Sequence, residues 1–158
     1  MSLADRLQAD MTTAMRDGDA LKRDTLRMVL AAAHNAQVAT RRPLSDDEVV
    51  GVLSREAKTR RESIDAFTKV GRTDLADKER AEADIIAVYL PAALSEDELR
   101  GLVADAIAAT GATSARDLGK VMGWLTPRTR GRADGKIVSS LVAKALAGAD
   151  LAAHDRGH

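Results

Sequence analysis

The chain passes from one group of helices to another at the stretch Tyr89-Leu90-Pro91-Ala92-Ala93-Leu94-Ser95-Glu96-Asp97-Glu98. Pro91 cannot donate the backbone hydrogen bond that a helix needs, and it disfavours helical geometry at the residue before it. Ser95 and Glu98 then form the pattern of a capping box, with which a new helix begins. We therefore predict a domain boundary between residues 1–92 and 93–148, with a disordered tail at 149–158.

Helical periodicity extends in both directions from this boundary, and no two-residue alternation is long enough for a strand. Before the boundary, Gly18, residues 41–43 and Gly71 separate four amphipathic segments. After it, Gly111 and Pro127 separate three more, and Pro127 is expected to end its helix. The sequence thus predicts an all-α fold, in which a four-helix bundle-like domain precedes a small three-helix tail domain.

Charged and apolar residues interleave on the second and third predicted helices. Leu21, Met28 and Val29 share a stripe of the second helix and are expected to face the core. Arg60 falls on the inner stripe of the third helix, yet it also stands four residues after Glu56. Opposite charges at that spacing stabilise a helix by about 0.2–0.5 kcal/mol without any ligand. We therefore interpret the cations of the third helix as a solvated face.

Charge is balanced over the whole chain and unbalanced within its last third. The 158 residues include 24 basic and 24 acidic side chains, so the total charge gives no general attraction to nucleic acid or to an anionic membrane. Between Arg116 and Lys144, however, seven cations stand against Asp117 and Asp134, which is a local charge of +5. Any attraction for an anionic partner must come from this segment.

Glycines and cations concentrate in residues 118–136. Gly119 and Gly123 lie four apart within a predicted helix, where each costs roughly 1 kcal/mol relative to alanine. Close approach of another helix or of a ligand would offset that cost. Asp134 is expected to cap the last helix, and cations beside a helix start can hold phosphates, although they also suit a solvated loop. The candidate nucleic-acid-binding residues are Gly119, Lys120, Gly123, Arg128, Arg130, Gly131, Arg132, Gly135 and Lys136.

The residues do not indicate a metal site, a phosphate-binding loop or a catalytic site. The chain has no cysteine, and His34 lies far from His154 and His158 of the predicted tail, so we expect neither a metal site nor a cofactor. Residues 131–137 differ from a phosphate loop in glycine spacing, and Ile137 stands where a magnesium-binding hydroxyl is needed. Tyr89 and Trp124 are isolated aromatics, so a structured duplex is a better expected RNA ligand than stacked single bases. We find no catalytic constellation and expect no intrinsic catalysis.

The predicted location is cytoplasmic. The first residues lack the cationic start and apolar run of an export signal. No apolar segment approaches the roughly 20 residues of a membrane span, so we also expect no membrane partner.

Several of these segments together resemble the GatB/YqeY family, and the similarity covers nearly the whole chain. The match is strongest in residues 118–123 and 131–135, and it extends to Tyr89-Leu90-Pro91 and to residues 94–99. The departures are small, since Thr126 stands where methionine is frequent and Ser139 where asparagine is. Neither change removes a charge.

The resemblance implies a helical bundle followed by a domain similar to the tail of the B subunit of glutamine-dependent aspartyl/glutamyl-tRNA amidotransferase. That tail touches tRNA, whereas the amidation chemistry occurs in parts of the enzyme for which this chain has no residues. The resemblance therefore implies a non-catalytic tRNA-binding or tRNA-amidotransferase-like accessory protein, with tRNA and the amidotransferase or aminoacyl-tRNA machinery as partners. The alternatives are a helical protein–protein interaction adaptor and, third, a carbon-nitrogen ligase with glutamine as amido-N-donor.

Overall fold

A computed structural model of the chain describes the backbone of residues 1–156 and the side chains of residues 1–149. Within those residues it contains seven α-helices, one 3₁₀ turn and no strand, which confirms the predicted all-α fold. The chain divides into two units, of which the first is Met1–Pro91 and the second begins at Ala92.

The first unit is a bundle of four helices, α1 (Leu3–Asp17), α2 (Ala20–Thr40), α3 (Asp46–Lys69) and α4 (Thr73–Ala87). Ser2 and Ser45 open α1 and α3, each in a complete capping box with the residue three positions later. Gly18 ends α1 at a φ of 72°, a left-handed geometry that glycine adopts at little cost. α3 packs along α4 and α1 along α2, while α2 also contacts α3 and α4.

The core of this unit differs from the predicted stripes at two places. Its buried cluster consists of Leu7, Leu26, Val29, Val49, Leu53, Ala57, Ile86 and Tyr89. Leu21 and Met28 are 37% and 43% exposed, so their predicted place in the core is wrong. α2 buries Val29, as predicted, together with Thr25, Leu26 and Ala33. Arg60 is only 5% exposed, so it does not belong to a solvated face.

The second unit contains three helices around a separate core. They are α5 (Glu96–Thr110), α6 (Leu118–Thr129) and α7 (Gly135–Arg156), with a 3₁₀ turn at Ala115–Asp117 before α6. Ser95 and Glu98 form the capping box that opens α5. All three helices contact one another. Their buried residues are Leu99, Val103, Ala106, Ala112, Val121, Leu125, Val138, Val142 and Leu146.

Pro127 does not end α6, as the sequence predicted, because the helix continues to Thr129. A proline in the last turn removes one backbone bond, to the carbonyl of Gly123, and Gly123 is exposed, so water can reach that carbonyl. Thr126 and Thr129 add side-chain bonds to the carbonyls four residues before them. At the other end of the unit, α7 continues past residue 148, where the disordered tail was predicted, to Arg156. Residues 157 and 158 of that predicted tail lie outside the described residues.

Candidate nucleic-acid interface

α6 presents its two glycines to open space. Gly119 and Gly123 are exposed and one helical turn apart. A Cβ atom added at either position would meet nothing within 4 Å beyond the helix itself. Neither glycine therefore allows a close approach between helices within its own unit. Their absent side chains leave a strip of helix surface that an outside molecule can approach closely.

The loop between α6 and α7 makes a tight turn at Gly131. Gly131 has a φ of 75°, where a side chain would be strained. The amides of Arg132 and Ala133 donate to the carbonyl of Thr129 at 2.9 and 3.1 Å, and these bonds close the turn. The chain then enters α7 at Asp134, whose Oδ1 accepts from the amide of Lys136 at 2.8 Å. The predicted cap at Asp134 is thus present.

Arg132 is a structural part of this turn. Its Nε atom donates to the carbonyl of Ala92 at 3.0 Å, and its own carbonyl accepts from the amide of Leu94 at 2.8 Å. The two bonds attach the turn to the segment that leads into α5. Arg132 is half-buried, so it has less freedom to meet a ligand than its neighbours.

Arg128 lies against Trp124. The centre of its guanidinium is 3.7 Å from the centroid of the indole ring, and its Nη1 donates to the carbonyl of Trp124 at 2.5 Å. Trp124 is half-buried and packs against the core of the second unit. Sequence reasoning assigned each residue alone and missed the pair, although their spacing of four residues on a helix was the available signal.

Besides Arg128, three cations of the predicted interface are exposed, namely Lys120, Arg130 and Lys136. Their side chains have no ion pair with a carboxylate in the part of the chain that the structure describes. Lys120 shares a face of α6 with Trp124 and Arg128, because the three are spaced by four residues. Lys136 and the exposed Gly135 begin α7, where the amide ends of the helix favour an anion.

The carboxyl group nearest in sequence to Lys120 is already engaged. The amide of Thr113 donates to Oδ2 of Asp117 at 2.8 Å and, with that of Ser114, lowers the pKa of the carboxyl group below its usual value. The charge of Lys120 contributes to the same shift of the pKa. Asp117 is thus bound to backbone amides, and Lys120 attracts it at a distance without forming an ion pair.

The first unit contains an open cleft of about 530 Å³ that the sequence did not reveal. Its polar lining includes Asp5, Gln8, His34 and Gln37, from α1 and α2. The amide of Leu3, between the lining residues Ser2 and Ala4, donates to Asp46 at 3.0 Å. No group of three metal-ligating side chains lies together there or elsewhere in the described residues. None of the helices described has the length and apolarity to cross a membrane.

Comparison with known proteins identifies relatives over most of the chain. A family model described as Yqey-like protein matches residues 4–146. A protein of Eremothecium gossypii named altered inheritance of mitochondria protein 41, mitochondrial, is 38% identical over 95 residues, which are 58% of this chain and 52% of that protein. A Pyrenophora tritici-repentis protein of the same name is 30% identical over 141 residues, 87% of this chain and 77% of that one. The chain thus spans about half the length of the first relative.

The predicted cytoplasmic location is contradicted by these relatives. Both are named as mitochondrial proteins. The prediction depended on the lack of an export signal and of a long apolar segment. Neither feature distinguishes the cytoplasm from the interior of an organelle, so the inference had no physical basis for that choice.

Proposed function

The chain belongs to the YqeY-like family, and on that premise we propose that it is a non-catalytic tRNA-binding or tRNA-amidotransferase-like accessory protein that contacts structured RNA through its second unit. One observation carries the proposal. Lys120, Arg130 and Lys136 are exposed and pair with no carboxylate among the described residues. A cation outside any ion pair has no close carboxylate contact to break when it neutralises a phosphate and releases a counterion.

The surroundings of these cations support contact with a nucleic-acid backbone. Arg128 adds a fourth exposed charge, on the same face of α6 as Lys120. The strip at Gly119 and Gly123 carries no side chains that would keep a sugar-phosphate chain away. Arg132 contributes through the turn that it holds in place rather than as a free cation. Contacts of this kind position an RNA without reading its sequence.

The salt dependence of tRNA binding tests the proposal. If Lys120, Arg128, Arg130 and Lys136 each contact a phosphate, the logarithm of affinity for total tRNA should fall with the logarithm of salt at a slope of roughly −3 to −4. The triple variant Lys120→Gln, Arg130→Gln, Lys136→Gln keeps one of the four cations, so its slope should shrink to about −1. A flat response of the wild type, or an unchanged slope in the variant, would contradict the proposal.

A matched control separates this surface from general charge. Arg16, Arg55 and Lys69 of the first unit are exposed and have no ion pair among the described residues. Replacing all three with glutamine removes the same charge as the triple variant. The slope of the control should match that of the wild type, and an equal loss in both variants would mean that total charge alone governs binding.

A protein-interaction adaptor is the second candidate, and the open space above Gly119 and Gly123 favours it. In this case the strip would receive a partner helix, and the cations would only steer the encounter. The double variant Gly119→Ala, Gly123→Ala should then abolish binding of a protein partner in a pull-down assay while its affinity for tRNA stays unchanged.

For the ligase alternative, the measurement is ammonia release from glutamine by the purified chain, and we expect none.

A further inference from the structure

Two contacts hold the guanidinium of Arg128 over the indole ring of Trp124. Its Cζ atom lies 3.7 Å from the centroid of the ring, and the bond from Nη1 to the carbonyl of Trp124 fixes the group. Arg128 is exposed, and no other partner of its side chain is found among the described residues. The guanidinium thus lies over the indole while the side chain of Arg128 remains exposed to solvent.

Because Arg128 lies over Trp124, the guanidinium rather than the indole is the planar surface on which an RNA base could stack. Trp124 is half-buried and lies beneath the guanidinium of Arg128, so less of its ring is accessible to a base. The planar guanidinium of an arginine is, however, a surface on which unpaired RNA bases stack, as they do on aromatic rings. Because the side chain is already held in one position, a stacked base would not have to order it.

We propose that the outer face of the Arg128 guanidinium is a stacking platform for an unpaired base of a bound RNA. The inference rests on the proposed RNA-binding function and adds the class of nucleotide recognised. Lys120 lies on the same face of α6, where it can neutralise a phosphate beside the stacked nucleotide. The ligand is then an RNA with a loop, bulge or free end, rather than a uniform duplex.

The variant Arg128→Lys distinguishes stacking from charge, because it keeps the cation and removes the plane. The full-length protein is titrated with a single strand of oligo(A) and with the duplex that oligo(A) forms with oligo(U). Arg128→Lys should weaken binding of the single strand on the order of tenfold and leave duplex binding unchanged. Arg16→Lys, at an exposed arginine of the first unit outside the proposed interface, is the matched control and should alter neither affinity. Equal effects of Arg128→Lys on both ligands, or no effect, would overturn the proposal.

Trp124 supplies a second readout, because it is the only tryptophan of the chain. Its fluorescence should change when wild-type protein binds oligo(A), and it should not change with an oligonucleotide of the same length in which the bases are missing. If Arg128→Lys lowers the melting temperature, its weaker binding could come from partial unfolding. The fluorescence of the wild-type protein then tests for stacking without any substitution. An equal change with the abasic strand would show phosphate binding without stacking.

The result with total tRNA separates this inference from the proposed function. If tRNA binding weakens in the triple variant of Lys120, Arg130 and Lys136 but not in Arg128→Lys, the proposed function stands and the stacking platform is wrong. If the wild-type protein binds neither tRNA nor oligo(A), both are wrong.

Discussion

The Nε atom of Arg60 lies 3.3 Å from Oε2 of Glu82, and this buried ion pair joins α3 to α4. Arg60 also donates from Nη1 to Oε2 of Glu56 at 2.5 Å, so its charge is held between two carboxylates. The Nε atom is buried and not aligned for a hydrogen bond, so charge attraction is the main contact with Glu82. Glu82 is itself only 8% exposed.

Removal of one member of this pair should cost more than removal of both. Glu82→Leu leaves the buried charge of Arg60 with Glu56 alone, which should lower the free energy of unfolding by about 3 kcal/mol. The double variant Arg60→Met, Glu82→Leu buries no unpaired charge and should recover most of that loss. Urea denaturation of the three proteins gives the comparison. A double variant that is less stable than Glu82→Leu would contradict this interpretation.

The hydroxyl group of Tyr89 links the end of the first unit to α1, because it donates to Oδ2 of Asp10 at 2.5 Å. The guanidinium of Arg6 lies over the tyrosine ring at 4.9 Å. Burial raises the pKa of Tyr89 above its ordinary value of 10.0, and the hydrogen bond to Asp10 raises it further. The fold therefore favours the neutral phenol.

This preference predicts a loss of stability in alkali. Because the folded-state pKa is raised, the stabilising contribution is complete below pH about 10 and is lost as the pH rises beyond that value. Tyr89→Phe should cost about 1 kcal/mol near neutral pH, from the lost hydrogen bond. Above pH 10 its free energy of unfolding should fall less steeply than that of the wild type. Parallel pH profiles of the two proteins would rule out this role of the hydroxyl.

Glu48 should make the first unit sensitive to acid. Its carboxylate accepts two bonds from Arg42, at 2.7 and 3.1 Å, and one from the amide of Ser45. Arg42 first, and then Ser45, lower the pKa of Glu48 from 4.5 to about 2. A lowered pKa gives stability that is present above pH 4.5 and is lost as the pH falls towards 2.

The variant Glu48→Gln tests that window. Its melting temperature should be lower than that of the wild type at neutral pH. The difference between the two melting temperatures should shrink as the pH falls from 4.5 towards 2. Glu62→Gln, on the exposed part of α3, is the charge-matched control. A constant difference between Glu48→Gln and wild type across the window would show that the carboxylate charge does not stabilise the cap.

Local sequence signals were sufficient to predict most of the helices. The predictions that failed depended on the surroundings of a residue in the folded structure. The helix start at Ser95 could be predicted because the serine and Glu98 complete each other's bonds within one turn. Pro127 was misjudged because it removes one backbone bond, to the carbonyl of Gly123, and the sequence does not show that Gly123 is exposed so that water can reach this carbonyl. The burial of Arg60 depends on Glu82, 22 residues away on another helix, and no local pattern encodes that contact.

In the candidate interface, too, local sequence signals were visible and contacts between distant residues were not. Its cations could be found by counting charge, but the chain alone could not separate free cations from engaged ones. Arg132 bonds the carbonyl of Ala92, 40 residues earlier, and Arg128 covers Trp124. Lys120 and Arg130 have neither kind of contact among the described residues. Which cations remain available to a ligand is thus decided by tertiary structure.

The two glycines of α6 lead to the last prediction, which concerns stability and binding together. Because a Cβ at Gly119 or Gly123 meets nothing within 4 Å, each change to alanine should raise the free energy of unfolding by about 1 kcal/mol. Gly131→Ala is the contrasting control, since its φ of 75° should make alanine destabilising by roughly 1–2 kcal/mol. Urea denaturation measures all three changes.

Binding assays on the same variants show whether the open strip is used. A natural helix that keeps two glycines costing about 1 kcal/mol each retains a stability loss that packing within the unit does not explain. If an RNA backbone lies along the strip, Gly119→Ala with Gly123→Ala should weaken tRNA binding although the protein is more stable. An unchanged tRNA affinity together with a lost protein partner would favour the adaptor, and a loss of stability would mean that the glycines serve the fold after all.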